Sequence, residues 1–117
     1  LYLDDAHGFG VLGDEGRGTL AHFGVASERI VYMATLGKAA GVSGAVVAGS
    51  EVIIETLLQQ ARTYIYTTAA PPLLAHTLLA SLEVIAAGDE RRAQLRARIA
   101  QLREGLAGMP WPLLPSQ

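Results

Sequence analysis

The apolar positions of the chain change their spacing about halfway along it. In the first half they form short, nearly continuous runs: Leu1-Tyr2-Leu3, Arg29 to Thr35 and Ala45 to Ala48. The first two predict buried strands, and the third, small and β-branched, predicts a strand entering Gly49-Ser50. Residues 8 to 18 and Gly41-Val42-Ser43-Gly44 are glycine-bearing loops, and Leu20 to Val25 is a short helix or turn. From residue 51 onward the spacing turns helical. Val52, Ile53, Thr56, Leu57 and Ala61 predict a helix from Glu51 to about Arg62, with Ser50 as its N-cap. Tyr64-Ile65-Tyr66-Thr67 is a short strand-like run. Pro71-Pro72 suits the first turn of a long helix that runs to about Ala87 and stops at Gly88. Asp89 then caps a helix from Glu90 to Leu106, with Leu95, Ile99, Leu102 and Leu106 on one face. The arginines of that helix alternate with polar residues and read as a solvated face. Strands separated by loops and followed by helices predict part of an α/β domain.

Composition narrows the class. The chain has 117 residues, half of them hydrophobic and 17% charged, so much of its surface is expected to be covered. A net charge of −2 argues against a nucleic-acid footprint. The absence of cysteine excludes disulfides and thiolate metal sites and fits a cytoplasmic protein. No apolar run approaches the roughly 20 residues of a membrane span, and no signal peptide is visible. The chain lacks an initiator Met, starts inside a strand-like run and stops in the proline-punctuated stretch 109–117. It therefore reads as an internal segment of a longer protein.

The candidate chemistry lies where the first two strands end. Gly8-Phe9-Gly10-Val11-Leu12-Gly13 fits G-x-G-x-x-G, but the dinucleotide reading fails. Asp4 and Asp5 stand where a pyrophosphate would approach, the following stretch is a poor helix start, and the next strand ends in Thr35 without a ribose-binding acid. Gly37-Lys38 fails as a P-loop, because Tyr32 and Ala39 occupy positions that need Gly and Ser or Thr. The glycines instead let the backbone turn away and leave Asp4-Asp5-Ala6-His7 at one strand tip. The second strand leads to Thr35-Leu36-Gly37-Lys38. A carboxylate, an imidazole, a hydroxyl and a lysine together suit pyridoxal phosphate (PLP), which needs an amine, a partner for its ring nitrogen and polar contacts to its hydroxyl and phosphate. Small residues around Lys38 admit a flat ring, and Ser43 and Gly44 offer further donors. Plainer readings stand beside this one. The two acids could form a solvated turn or, with His7, bind a metal that lacks a fourth ligand nearby. His7 could be a packed or surface histidine. Lys38 could be a surface lysine, although it is the only charge between Val31 and Ser50.

Three blocks carry a resemblance: LDDAHGFGVLGDEGRGTL, TLGKAAGVSGAVVAGS and YIYTTAAPP. They closely resemble blocks of the α-oxoamine synthase family, PLP enzymes of the aspartate-aminotransferase fold. The likeness is specific from Leu1 to about Pro72 and weaker beyond. It implies that residues 1–88 belong to the large PLP-binding domain, and that residues 89–117 form a linking helix and the start of an incomplete C-terminal small domain. It implies Lys38 as the Schiff-base lysine, Asp4 as partner of the ring nitrogen, His7 as contact to the ring hydroxyl and Thr35 as a hydroxyl near the phosphate. Thr67 and Thr68 would reach the phosphate from the neighbouring subunit of a homodimer. No metal is implied. Ala40 departs from the pattern, where a larger apolar residue is expected. Within the family the segment GKAAGVSGAVV is similar to that of the member condensing L-alanine with pimeloyl-CoA or pimeloyl carrier protein in biotin biosynthesis. The alternatives are a sister enzyme using glycine or serine with another acyl-CoA, such as a glycine C-acetyltransferase, and a catalytically silent scaffold. The 117 residues alone are expected to be inactive.

Overall fold

The computed structural model describes residues 1–114. Pro115, Ser116 and Gln117, the end of the proline-punctuated stretch, lie outside the described residues. Among the described residues three strands form one sheet in the order β1-β2-β3: β1 Tyr2–Asp4, β2 Val31–Thr35 and β3 Ala45–Ala48. β1 and β2 are parallel, with Tyr2 beside Val31 and Asp4 beside Met33. Parallel neighbours need a long crossover, and residues 5–30 supply it as the glycine-rich loop followed by the short helix α1, Thr19–Phe23. β3 returns antiparallel to β2, pairing Ala45 with Thr35. The parallel pair thus ends on the edge where β3 begins.

The buried apolar residues centre on β2 and the loop after it: Ile30, Ala34, Leu36 and Ala40. The expectation of a buried first strand is not met, since Tyr2 is 61% exposed. Every residue of β3 is also exposed. Burial of a sheet face depends on what lies over it, and in this chain those faces are open.

The helices α2 Glu51–Gln60, α3 Arg62–Ile65, α4 Pro72–Ala86 and α5 Asp89–Gly105 follow. Ser50 occupies the N-cap position of α2, but its side chain makes no capping bond. Its carbonyl instead accepts from the Ile53 and Ile54 amides. The strand expected at Tyr64–Thr67 is a helical turn. Its amides find local acceptors, with Tyr64 and Ile65 donating to the Ala61 carbonyl and Thr67 to the Tyr64 carbonyl. β-branched and aromatic residues favour a strand only where a ladder partner is available. Pro72 opens α4 as expected. Gly88, and not Asp89, is the N-cap of α5; Asp89 lies in its first turn and its carboxylate accepts from Arg92 at 2.7 Å.

The chain divides into two compact units, Leu1–Ala87 and Gly88–Gln117. In the second, α5 runs into turns at Ala107 and Met109, and the Arg103 guanidinium donates to the Leu114 carbonyl at 3.1 Å. Of its apolar face, Ile99 and Leu106 are half-buried, while Leu95 and Leu102 are exposed.

Candidate active site

Ligands of α/β sheets sit beyond the carboxyl ends of parallel strands, and the polar side chains gather there in the first unit. Asp4 closes β1 and is exposed. Its Oδ1 accepts the Ala6 amide at 3.0 Å, a short turn that leaves Oδ2 for another donor. His7 is exposed on the next turn, closed by the Phe9 amide donating to the Asp5 carbonyl at 3.0 Å.

Asp5 turns the other way. It is 2% exposed, and its carboxylate accepts three hydrogen bonds. The Thr19 hydroxyl reaches Oδ1 at 2.5 Å; the Thr19 amide and the Tyr32 hydroxyl reach Oδ2 at 2.8 and 2.9 Å. The metal reading for Asp4, Asp5 and His7 therefore loses one ligand to the interior. Among the described residues no three His, Asp or Glu side chains are placed to hold a metal ion.

The glycines are explained by their neighbours. A side chain at Gly18 would overlap Oδ2 of Asp5, and one at Gly8 would overlap Oδ1. Gly10 lies against the loop that follows β2: a Cβ there would come within 2.5 Å of the Ala39 Cβ. The glycine-rich loop thus wraps Asp5 on one side and touches the neighbour of Lys38 on the other.

The second strand end is equally constrained. Leu36 donates its amide to the Gly44 carbonyl at 2.9 Å, Val42 to Leu36 at 2.8 Å and Gly41 to Lys38 at 3.0 Å. These bonds fold residues 36–44 into a tight loop. Lys38 is exposed on it, and its Nζ donates to Thr35 Oγ1 at 3.2 Å. Ala40, the departure from the expected pattern, is buried, and its carbonyl accepts from Ser81 of α4 at 2.7 Å.

Asp4, His7, Thr35 and Lys38 thus share one edge of the sheet, with Lys38 and Thr35 in direct contact. Thr67 and Thr68 are exposed after α3. Thr67 Oγ1 donates to the Tyr64 carbonyl at 2.6 Å, and among the described residues no bond joins either threonine to that edge. Sequence reasoning missed Asp5, Thr19 and Tyr32 as a group. One signal was available: Tyr32 is a phenol in an apolar strand, and a buried phenol requires a partner.

Burial, then the bond to Asp5 and the Asp5 charge, hold the Tyr32 hydroxyl protonated well above its ordinary range. A raised folded-state value means that the stabilisation is present below the unfolded tyrosine value of ~10 and is lost as pH rises above it. Tyr32→Phe is therefore expected to flatten the alkaline fall of the thermal midpoint. Equal alkaline slopes in variant and wild type would contradict this.

The family model for class I and II aminotransferases matches residues 1–117, and the chain belongs to that family. Its relatives are more particular. An 8-amino-7-oxononanoate synthase of Herminiimonas arsenicoxydans is 60% identical over 99% of this chain and 31% of its own length. That of Nitrosospira multiformis is 62% identical over 99% of this chain and 29% of its own. The chain thus spans about three-tenths of the length of these curated relatives. Among solved structures, the 8-amino-7-oxononanoate synthase of Francisella tularensis superposes with a TM-score of 0.89 at 38% identity, covering 100% of this chain and 35% of that one. The serine palmitoyltransferase of Sphingomonas wittichii gives 0.82 at 28% identity, covering 96% and 28%. The resemblance carried by the three motif blocks and the α/β fold it implied are both borne out. No helix among the described residues is long and apolar enough to cross a membrane.

Proposed function

We propose that the intact protein is a PLP-dependent acyltransferase that joins L-alanine to a pimeloyl thioester. The products are 8-amino-7-oxononanoate, carbon dioxide and the free thiol carrier, CoA or carrier protein. The observation that carries this reading is the Lys38 amine, 3.2 Å from the Thr35 hydroxyl, at the same sheet edge where Asp4 ends the neighbouring strand. Relatives named for this activity, about 60% identical over nearly the whole chain, support the choice within the family.

The residues fit the cofactor by their donor set: an exposed amine in a loop of small residues, a hydroxyl beside it, and an exposed carboxylate with one oxygen available. Lys38 would carry the cofactor on its ε-amine. Asp4 would keep a proton on the ring nitrogen, and His7 would hold the ring hydroxyl. Thr35 orients the lysine and would reach toward the phosphate. Thr67 and Thr68 would complete the phosphate site from the partner subunit of a homodimer. When bound, PLP supplies an electron sink for a carbanion at the amino acid α-carbon. Lys38 would also take the α-proton of the amino acid as general base. The reading includes a cytoplasmic location.

A substrate panel tests it. The intact protein is offered alanine, glycine and serine, each with pimeloyl-CoA, acetyl-CoA and palmitoyl-CoA, and thiol release is followed. Alanine with pimeloyl-CoA is expected to exceed glycine by about tenfold or more in kcat/KM, the scale set by one methyl group in a fitted pocket. A preference for glycine with acetyl-CoA, or serine with palmitoyl-CoA, would instead identify a sister activity.

A further inference from the structure

Of the two acids at the end of β1, Asp4 is exposed and Asp5 is buried. Burying a carboxylate as deeply as Asp5 is costly unless its oxygens are satisfied. Here two oxygens take three donors, drawn from Thr19 at the start of α1 and Tyr32 near the start of β2. The main chain of Asp5 is also tied on both sides. Its amide donates to the Met33 carbonyl at 2.7 Å, and its carbonyl closes the His7 turn through Phe9 at 3.0 Å. One residue therefore links the turn that carries His7, the far end of the glycine-rich loop and the strand that leads to Thr35 and Lys38. Gly8 and Gly18 leave the space its carboxylate fills, and Gly10 sets the same loop against Ala39, the neighbour of Lys38.

We propose that Asp5 is a positioning residue: its buried carboxylate clamps the glycine-rich loop to β2 and thereby fixes Asp4 and His7 relative to the Lys38 loop. The proposal rests on the PLP reading of the site. The Asp5 carboxylate is taken up by Thr19 and Tyr32. It acts through the backbone it holds, so its loss should loosen cofactor binding even where the protein stays folded.

The test uses the intact protein and four variants. Asp5→Asn keeps the shape but turns an amide toward groups that are themselves donors. Tyr32→Phe and Thr19→Val each remove one hydroxyl, and Thr19→Ser retains both Thr19 donors. Two quantities are read at 10 °C on protein whose far-UV circular dichroism matches wild type: the PLP dissociation constant, and the pH midpoint of the visible band of the bound cofactor. Asp5→Asn is expected to raise the dissociation constant tenfold or more. It should also move the midpoint upward by half a unit or more, because a ring nitrogen less firmly paired with Asp4 withdraws less electron density. Tyr32→Phe and Thr19→Val should move both in the same direction by less, and Thr19→Ser should behave as wild type. If Asp5→Asn does not fold, the two hydroxyl variants decide the matter. Variants that lose thermal stability but keep the wild-type dissociation constant and midpoint would overturn the proposal and leave the PLP reading standing. A wild type that takes up no PLP would overturn both.

Discussion

Lys38→Ala in the intact protein is expected to abolish covalent retention of PLP and to lower turnover by roughly 10⁴-fold or more. The magnitude follows from two losses. In the proposed function the lysine is both the attachment point and the base that reaches the α-proton; a positioned base alone contributes about 10²–10⁴-fold. The Lys38 side chain donates to Thr35, while the loop is closed by backbone bonds from Leu36 to Gly44, Val42 to Leu36 and Gly41 to Lys38, so alanine should leave the loop itself intact. The variant should therefore fold and melt like wild type. Near-wild-type turnover in Lys38→Ala would remove the residue from the mechanism.

The second large effect concerns stability. Gly18→Ala is expected to destabilise the protein by about 2–6 kcal/mol. Gly18 has φ 89° and ψ −167°, a region open essentially to glycine alone, and strain there costs about 1–3 kcal/mol. Its new methyl would also overlap the buried Asp5 carboxylate, and overpacking adds about 1–3 kcal/mol. Gly24 is the control. Its φ of 61° is left-handed, but nothing lies within 4 Å of a Cβ placed there. Gly24→Ala should cost about 1–2 kcal/mol, the conformational part only. Urea unfolding of the two variants measures the difference; equal midpoints would contradict the packing of Gly18 on Asp5.

These cases show what could be read before the fold was known. Local signals were legible. Pro72 and Gly88 marked both ends of α4, and the apolar runs located β2 and β3. Lys38 stood out because it is the only charge in a long apolar stretch. Asp5 was not legible, because its partners lie 14 and 27 residues away and nothing in the doublet Asp4-Asp5 says which acid faces inward. The G-x-G-x-x-G pattern was visible, but its purpose depends on a carboxylate and on Ala39, which only the folded chain brings beside it. Tyr64 to Thr67 misled for a similar reason: strand-forming residues without a ladder partner coil into a turn.

Covalent attachment at Lys38 is the central claim, and borohydride reduction tests it most directly. The intact protein is incubated with PLP, reduced, digested, and the labelled peptide identified by mass. A pyridoxyl group on the peptide bearing Lys38 is the predicted result. Absence of label, or label confined to other lysines, would contradict the assignment of this sheet edge as a PLP site.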